Sequence, residues 1–306
     1  RSVRPTIEAQ DVKRAVPNRS QVATVEAATL PLFAAALRQR QPLTRVVAPE
    51  ERPGYISSGL RCVDRAMHGG LPVGAVTLVA ARPRAGASSF LLGAALDALK
   101  RHRWVAVFSE QMREEQLRGR FVVLESRVNG YRFRAGVISD DDRAALTAAR
   151  DRIPWASLSM VTRPLITARA IEEHLFTYRP LVAVADLMPR TPEQHPDSRF
   201  DDMMAGMENL ARLAERHQVA VLVRYTLPRR HHPPALEELP GLGAFAAPAA
   251  AVLLVHREEV SNPDGMPDEA AGQAQIHVVR LRGRRIEPRV VELLFDQRFA
   301  GLVESP

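Results

Sequence analysis

From Tyr55 onward the chain alternates short apolar runs with longer segments whose apolar positions recur at helical spacing. Ala75 to Ala81 (AVTLVAA), Trp104 to Ser109 (WVAVFS), Leu158 to Val161, Leu181 to Ala185 (LVAVA) and Ala220 to Arg224 (AVLVR) read as buried strands. Between them, Ser88 to Lys100, Glu114 to Ser126, Ser139 to Asp151, Ala168 to Thr177 and Phe200 to His217 read as helices. Ser139 and Asp142 form a capping-box pair that marks where the third of these begins. Later the alternation gives way to strands near Ala251 to His256, Gln275 to Arg280 and Arg289 to Phe295. Apolar strands alternating with amphipathic helices need a mostly parallel sheet covered on both faces. The strand-rich end predicts an antiparallel extension at one edge.

Residues 1–53 stand apart as a linker, and the core domain is predicted over 54–306. Within the linker, Val22, Val25, Ala28, Leu32, Ala36 and Leu37 recur at helix-like spacing, although Pro31 would kink or break that helix. A helix tethered in this way can fold back on its own domain or dock on a neighbouring subunit. Spacing alone does not separate the two. No internal repeat or low-complexity tract interrupts the pattern.

The chain has 306 residues, of which 46% are hydrophobic, enough to bury a sizeable core. Its net charge of +7 suits a polyanionic partner, though a solvated surface with a mild positive excess would give the same figure. The basic charge is almost all arginine, since Lys13 and Lys100 are the only lysines. Cys62 is the only cysteine, which excludes an intramolecular disulfide and fits a reducing cytoplasm. The histidines have no metal-ligand spacing, so no metal site is read. The longest apolar run, Gly243 to Val255, is too short to span a bilayer and contains Pro248. No signal-peptide pattern is read. The chain opens on Arg1 rather than Met, so a trimmed N-terminus is expected.

Val79 to Phe90 reads VAARPRAGASSF, a buried strand, a turn of small residues and the start of a helix. Such a turn lets backbone N–H groups approach a phosphate, and the helix N-terminus adds partial positive charge. Alone it is a weak signal. Upstream, Ile56 to Pro83 reads ISSGLRCVDRAMHGGLPVGAVTLVAARP. This resembles the start of the ATPase domain of DnaB-type replicative helicases, where a TG-hydrophobic-x-x-LD segment precedes GGL-x-x-G, a strand and ARP-x-x-GKTS. Gly59, Leu60, Asp64, Gly69, Gly70, Leu71, Gly74, Ala81, Arg82, Pro83, Gly86, Ser88 and Ser89 fall on that pattern. Val105 to Met112 (VAVFSEQM) is similar to the family's FSLEM, and Glu125 to Val128 (ESRV) and Leu146 keep their places. Arg257-Glu258-Glu259 follows a strand as the family's RDE does, and Arg280 to Arg282 (RLR) sits where the family has KQR. The likeness runs from Ile56 to the C-terminus. It implies a RecA-like α/β fold: a mostly parallel twisted sheet, helices on both faces and an antiparallel C-terminal extension.

The same resemblance exposes what has changed. Phosphoryl transfer needs a cation on the β- and γ-phosphates, a held Mg²⁺ and a group that orients water. The position of the phosphate-loop lysine is Ala87, and Lys100 lies about 12 helical residues further on, roughly 18 Å away. Losing one such donor typically costs ~2.7–4 kcal/mol of transition-state stabilisation. The catalytic glutamate position is Gln111, whose amide cannot take a proton, with Glu110 beside it. The metal-side aspartate falls on Ala185, with Asp186 next to it, and the sensing glutamine on Thr226. The resemblance then implies no efficient ATPase and at most weak binding of ATP and Mg²⁺. That binding would use Arg82, Arg84, Ala85, Gly86, Ser88, Ser89 and Asp186.

The family pattern implies two further sets of residues. A basic pair on a late strand, here Arg280 and Arg282 followed by Arg284 and Arg285, would reach a neighbouring subunit's nucleotide. The channel loops would be Pro189 to Ser198 and Pro228 to Pro234, the latter carrying Arg229, Arg230, His231 and His232. These would neutralise single-stranded DNA phosphates without reading sequence. No aromatic residue interleaves them, so base stacking is not expected. The expectation is a degenerate, DNA- or helicase-associated binding or scaffold protein that assembles with itself or with an active homologue. An active hexameric helicase and a protein-interaction module without DNA binding remain the alternatives.

Overall fold

The computed structural model describes residues 54–187, 200–241, 243–262, 272–281 and 289–304. The linker expected over 1–53 and its docking helix lie outside the described residues.

The chain opens with β1 (Tyr55–Ile56), α1 (Arg61–Ala66) and β2 (Leu71–Pro72), then β3 (Ala75–Ala81) and α2 (Ala87–Lys100). Next come β4 (Val105–Ser109), α3 (Glu114–Ser126), α4 (Gly130–Arg134), α5 (Asp140–Arg152), β5 (Leu158–Thr162) and α6 (Ala168–Tyr178). The second half contains β6 (Val182–Asp186), α7 (Phe200–His217), β7 (Ala220–Thr226), β8 (Ala251–His256), α8 (Glu258–Ser261), β9 (Gln273–Leu281), β10 (Arg289–Asp296) and β11 (Gly301–Glu304). The long elements match the hydrophobic pattern within one or two residues at each end. At α5, Ser139 accepts from the Asp142 N–H while the Asp142 side chain accepts from the Ser139 N–H, which closes the expected capping box.

Nine strands form one sheet in the order β11-β10-β9-β8-β3-β7-β6-β4-β5. From β8 to β5 every pairing is parallel, and β8–β9, β9–β10 and β10–β11 are antiparallel. The extension therefore starts at β9. β8, which the sequence pattern grouped with the late strands, is a parallel neighbour of β3. The short pieces β1, β2, α1, α4 and β11 left no periodic signal, because two to six residues do not complete a pattern.

Strand alternation divides the core between two faces. Val182 and Val184 pack with Leu91 and Ala95 of α2, Leu117 and Phe121 of α3, and Leu146 of α5. Ala183 and Ala185 pack on the other face with Leu175 of α6 and Leu210 and Ala214 of α7. Both faces are thus covered, which explains why the central strands are apolar throughout. No helix among the described residues is long and apolar enough to cross a membrane.

Glycine is required by close approach at Gly70. Its φ is +109°, and a Cβ there would lie 2.2 Å from the Ile56 carbonyl oxygen. That approach lets Ile56 pair with Leu71 beside the turn held by Asp64, whose carboxylate accepts from the Ser58 N–H at 2.8 Å. Gly70→Ala is expected to destabilise the fold by about 3 kcal/mol or more, through strain and steric conflict, seen as a lowered urea midpoint.

A second prediction concerns His174 on α6, whose ring lies edge-on to Phe108 at 5.3 Å and meets Ser159 Oγ at 2.8 Å. Burial pushes its pKa from 6.5 down to about 4. Between those values the unfolded chain binds more protons than the folded one, so stability falls as pH drops from about 6.5 to about 4. Replacing His174 by Phe should flatten that part of the melting temperature-against-pH curve.

Candidate functional site at the strand ends

The parallel strands all end on one side, and the turn of residues 82–86 leaves β3 there and runs directly into α2. Arg84 has φ +70° and Gly86 φ +112°, so the turn passes twice through the left-handed region. A neighbouring layer braces it. The Arg84 carbonyl accepts from Arg257 Nη1 at 3.2 Å, and a Cβ on Gly86 would lie 3.3 Å from the Phe295 ring. The Arg257 guanidinium stacks on that ring, 3.7 Å from its centroid, and pairs with Glu259. Burial, and next the charge on Arg84, push the Arg257 pKa down to about 10, which leaves it cationic at neutral pH.

Ala87 opens α2 and its methyl group is buried in the core, with Ser88 half-buried and Ser89 buried next to it. Ala85 is also buried, and Arg84 is exposed. Arg82 is a different matter. Expected as a phosphate ligand, it is 3% exposed, and both its terminal nitrogens are engaged within the chain. Its Nη1 donates to the Pro228 carbonyl at 2.6 Å and to Glu238 at 3.1 Å, and its Nη2 to the His232 carbonyl at 2.8 Å and to Glu238 at 3.2 Å. A planar fork held by a carboxylate and two carbonyls has no donor pair left for a phosphate. Arg82 ties the turn after β3 to the loop after β7.

At the end of β4, Gln111 is exposed. Glu110 is held on the α6 side, where its carboxylate accepts from the Ile166 N–H at 2.8 Å. Ala185 is buried among the α6–α7 contacts, and Asp186, one residue on, turns to the opposite face. There the Asp186 carboxylate, 3% exposed, pairs with Arg224 Nε from β7. Arg224 Nη1 donates to Thr226 Oγ1 at 3.2 Å, and Thr226 is the register partner of Ala81, the last residue before the turn. One oxygen of the carboxylate expected to face Mg²⁺ is thus already engaged by a guanidinium. Arg224 therefore competes with Mg²⁺ for the Asp186 carboxylate. Among the described residues, no three or more His, Cys, Asp or Glu side chains gather into a metal-holding group.

Arg229, Arg230, His231 and His232 lie together on the exposed loop after β7. Arg230 Nε is 3.7 Å from Glu238, His231 Nδ1 is 2.8 Å from the Ser261 carbonyl, and Arg229 has no ion-pair partner among the described residues. Arg280 on β9 donates to the Ala246 carbonyl at 3.2 Å. Arg282, Arg284, Arg285 and the stretch 189–198 lie outside the described residues. Sequence reasoning overlooked Arg224 and Glu238. A charge inside the apolar run AVLVR was the available signal, because a buried guanidinium demands a partner.

Residues 55–304 match the family described as DnaB-like helicase C terminal domain. The replicative DNA helicase DnaB of Leifsonia xyli subsp. xyli is 27% identical over 226 residues, 70% of this chain and 48% of that protein. The same helicase from Geobacillus stearothermophilus is 24% identical over 221 residues, 68% of this chain and 48% of that protein. The chain spans about half the length of the curated relatives it matches. Among solved structures, a DnaB-like replicative helicase described with its interactions with primase is similar with a TM-score of 0.72 at 18% identity, covering 92% of this chain and 67% of that one. The RadB recombinase is similar with a TM-score of 0.53 at 16% identity, covering 82% of this chain and 99% of that one. At those identities the likeness establishes the RecA-like fold.

Removing one partner of the Arg82–Glu238 pair leaves the other charge buried. Arg82→Ala is therefore expected to destabilise by roughly 3–5 kcal/mol, measured by chemical denaturation, whereas Arg84→Ala should be near neutral.

Proposed function

The chain belongs to the family of DnaB-like helicase C-terminal domains, and from that premise we propose that it is a catalytically degenerate member. In this reading it is a DNA- or helicase-associated binding and scaffold protein. The observation that carries it is Ala87: a buried methyl group stands where an ammonium would grip the triphosphate. Arg84 does not make good the loss, since a guanidinium on a different Cα is not an equivalent point charge. Two more changes point the same way. Gln111 offers an amide where a proton acceptor is needed, and Ala185 offers no oxygen to a metal shell. Changes to separate components of one catalytic unit are not additive, but loss of the first alone usually disables hydrolysis.

Binding needs none of these groups. Arg229, Arg230, His231 and His232 form an exposed basic loop suited to backbone phosphates of single-stranded DNA, bound without regard to sequence. Arg280 and Arg282 would complete the site of a neighbouring subunit, either a second copy or an active homologue, even where the chain's own site does not turn over.

The test joins a turnover assay to a binding assay. With single-stranded DNA present, phosphate release from ATP should not exceed the protein-free rate. DNA binding should weaken steeply with salt, and Arg229→Ala with Arg230→Ala should lower the log–log salt slope by about 2. DNA-stimulated hydrolysis abolished by Gln111→Ala would establish an active motor instead. No retention on DNA at low salt would leave only a protein-interaction role.

A further inference from the structure

Between α1 and β10 the surface opens into a groove of about 550 Å³. Cys62, Arg65 and Ala66 line one wall, and Arg289, Val290 and Val291 the other, with Glu292 beside them. Ala66 and Val291 are buried at its floor, whereas Val290 is 50% exposed. Arg65 and Arg289 are both exposed and have no ion-pair partner among the described residues. The acids nearby are already engaged. Glu292 accepts from Gln275 Nε2 at 3.0 Å, and Glu304 from the Cys62 N–H at 2.8 Å. The groove is therefore apolar along its floor and net positive at its rim.

Its two ends are distinct. Glu304 is the register partner of Leu293, so Cys62 marks the end towards Leu293. Arg65, about one helical turn further along α1, lies towards Arg289. Just past α1, the Gly69 N–H folds back to the Asp64 carbonyl at 2.9 Å, and a Cβ on Gly69 would lie 3.3 Å from the Tyr55 ring. β1 thus enters the fold beside Arg65, where Tyr55 is itself 46% exposed. The chain that precedes Gly54 arrives at this end of the groove.

That chain carries the inverse of the groove's charge. Residues 46–53 read VVAPEERP, two acids and one base against two arginines and one glutamate. Glu50-Glu51 is the only adjacent acidic pair in residues 1–53. Pro49 and Pro53 disfavour helix in the residues before them. An extended chain spans ~13 Å from Gly54 to Glu50, at ~3.3 Å per residue, which brings the acidic pair within reach of Arg65 and Arg289. We propose that residues 46–53 dock in this groove of their own chain. Glu50 and Glu51 meet Arg65 and Arg289, and Val46 and Val47 run on over the apolar floor towards Cys62. The contact ties α1 to the antiparallel extension and fixes where residues 1–45 leave the core. It depends on neither nucleotide nor DNA.

Cys62, the only cysteine, supplies the probe. In Val47→Cys, oxidised glutathione should close a disulfide to Cys62 within one chain, followed by mass and by non-reducing electrophoresis. Adding Glu50→Arg with Glu51→Arg should slow closure about fivefold or more, because two ion pairs become repulsions. Adding Arg65→Glu with Arg289→Glu to that chain should restore the rate. Both arginines are exposed, so the melting temperature should not change. Closure indifferent to the charge reversals, or a failed rescue, would overturn the docking. Disulfide-linked dimers in place of closed monomers would also overturn it, and would assign the groove to a second copy.

Discussion

The centre of the molecule is β3, paired along its length with β7 on one side and β8 on the other. A strand held on both edges and buried on both faces cannot shift its register without moving every apolar residue to the wrong face. Its end is therefore a fixed point. The turn of residues 82–86 inherits that position, and Arg82 carries it across to the loop after β7 through Glu238 and two carbonyls. The turn after β3 and the basic loop are thereby joined by a buried fork with both terminal nitrogens engaged. Neither can move far without exposing a charge that the other neutralises.

Arginine dominates the electrostatics around this frame. A motor keeps mobile cations free: a lysine for the phosphates and a magnesium ion against a strand-end carboxylate. Three arginines near the crevice are bound into the protein. Arg82 is held by Glu238, Arg257 lies between Glu259 and Phe295, and Arg224 is paired with Asp186. Arginine suits such duty because its planar fork can satisfy two acceptors at once and sheds water more readily than an ammonium. A chain with only two lysines thus places arginines at its strand ends.

Family membership and the proposed loss of hydrolysis are compatible, because fold and chemistry depend on different residues. The sheet and its helices are maintained by apolar periodicity and by glycines such as Gly70 and Gly86, whose positive φ few other residues accept. Hydrolysis depends on a few side chains at strand ends that contribute little to folding, so they can be replaced while the architecture stays. The chain spans about half the length of its DnaB relatives, and the half it shares is the one that carries this architecture.

The sequence by itself determined the alternation of buried strands and amphipathic helices, the capping box at Ser139 and the small-residue turn that opens a helix at Ala87. Each is a local property, set by neighbours a few residues apart or by a motif read in one stretch. The parallel placement of β8, the engagement of Arg82 with Glu238 and the pairing of Arg224 with Asp186 were decided only by the tertiary structure. The last two pairs are separated by 156 and 38 positions, and no period or spacing links them. Arg82 was legible as a cation but not as a bound one, because a guanidinium's role depends on which acceptors the folded chain brings to it. A residue's type is written in the sequence, whereas its electrostatic surroundings are assembled by the sheet.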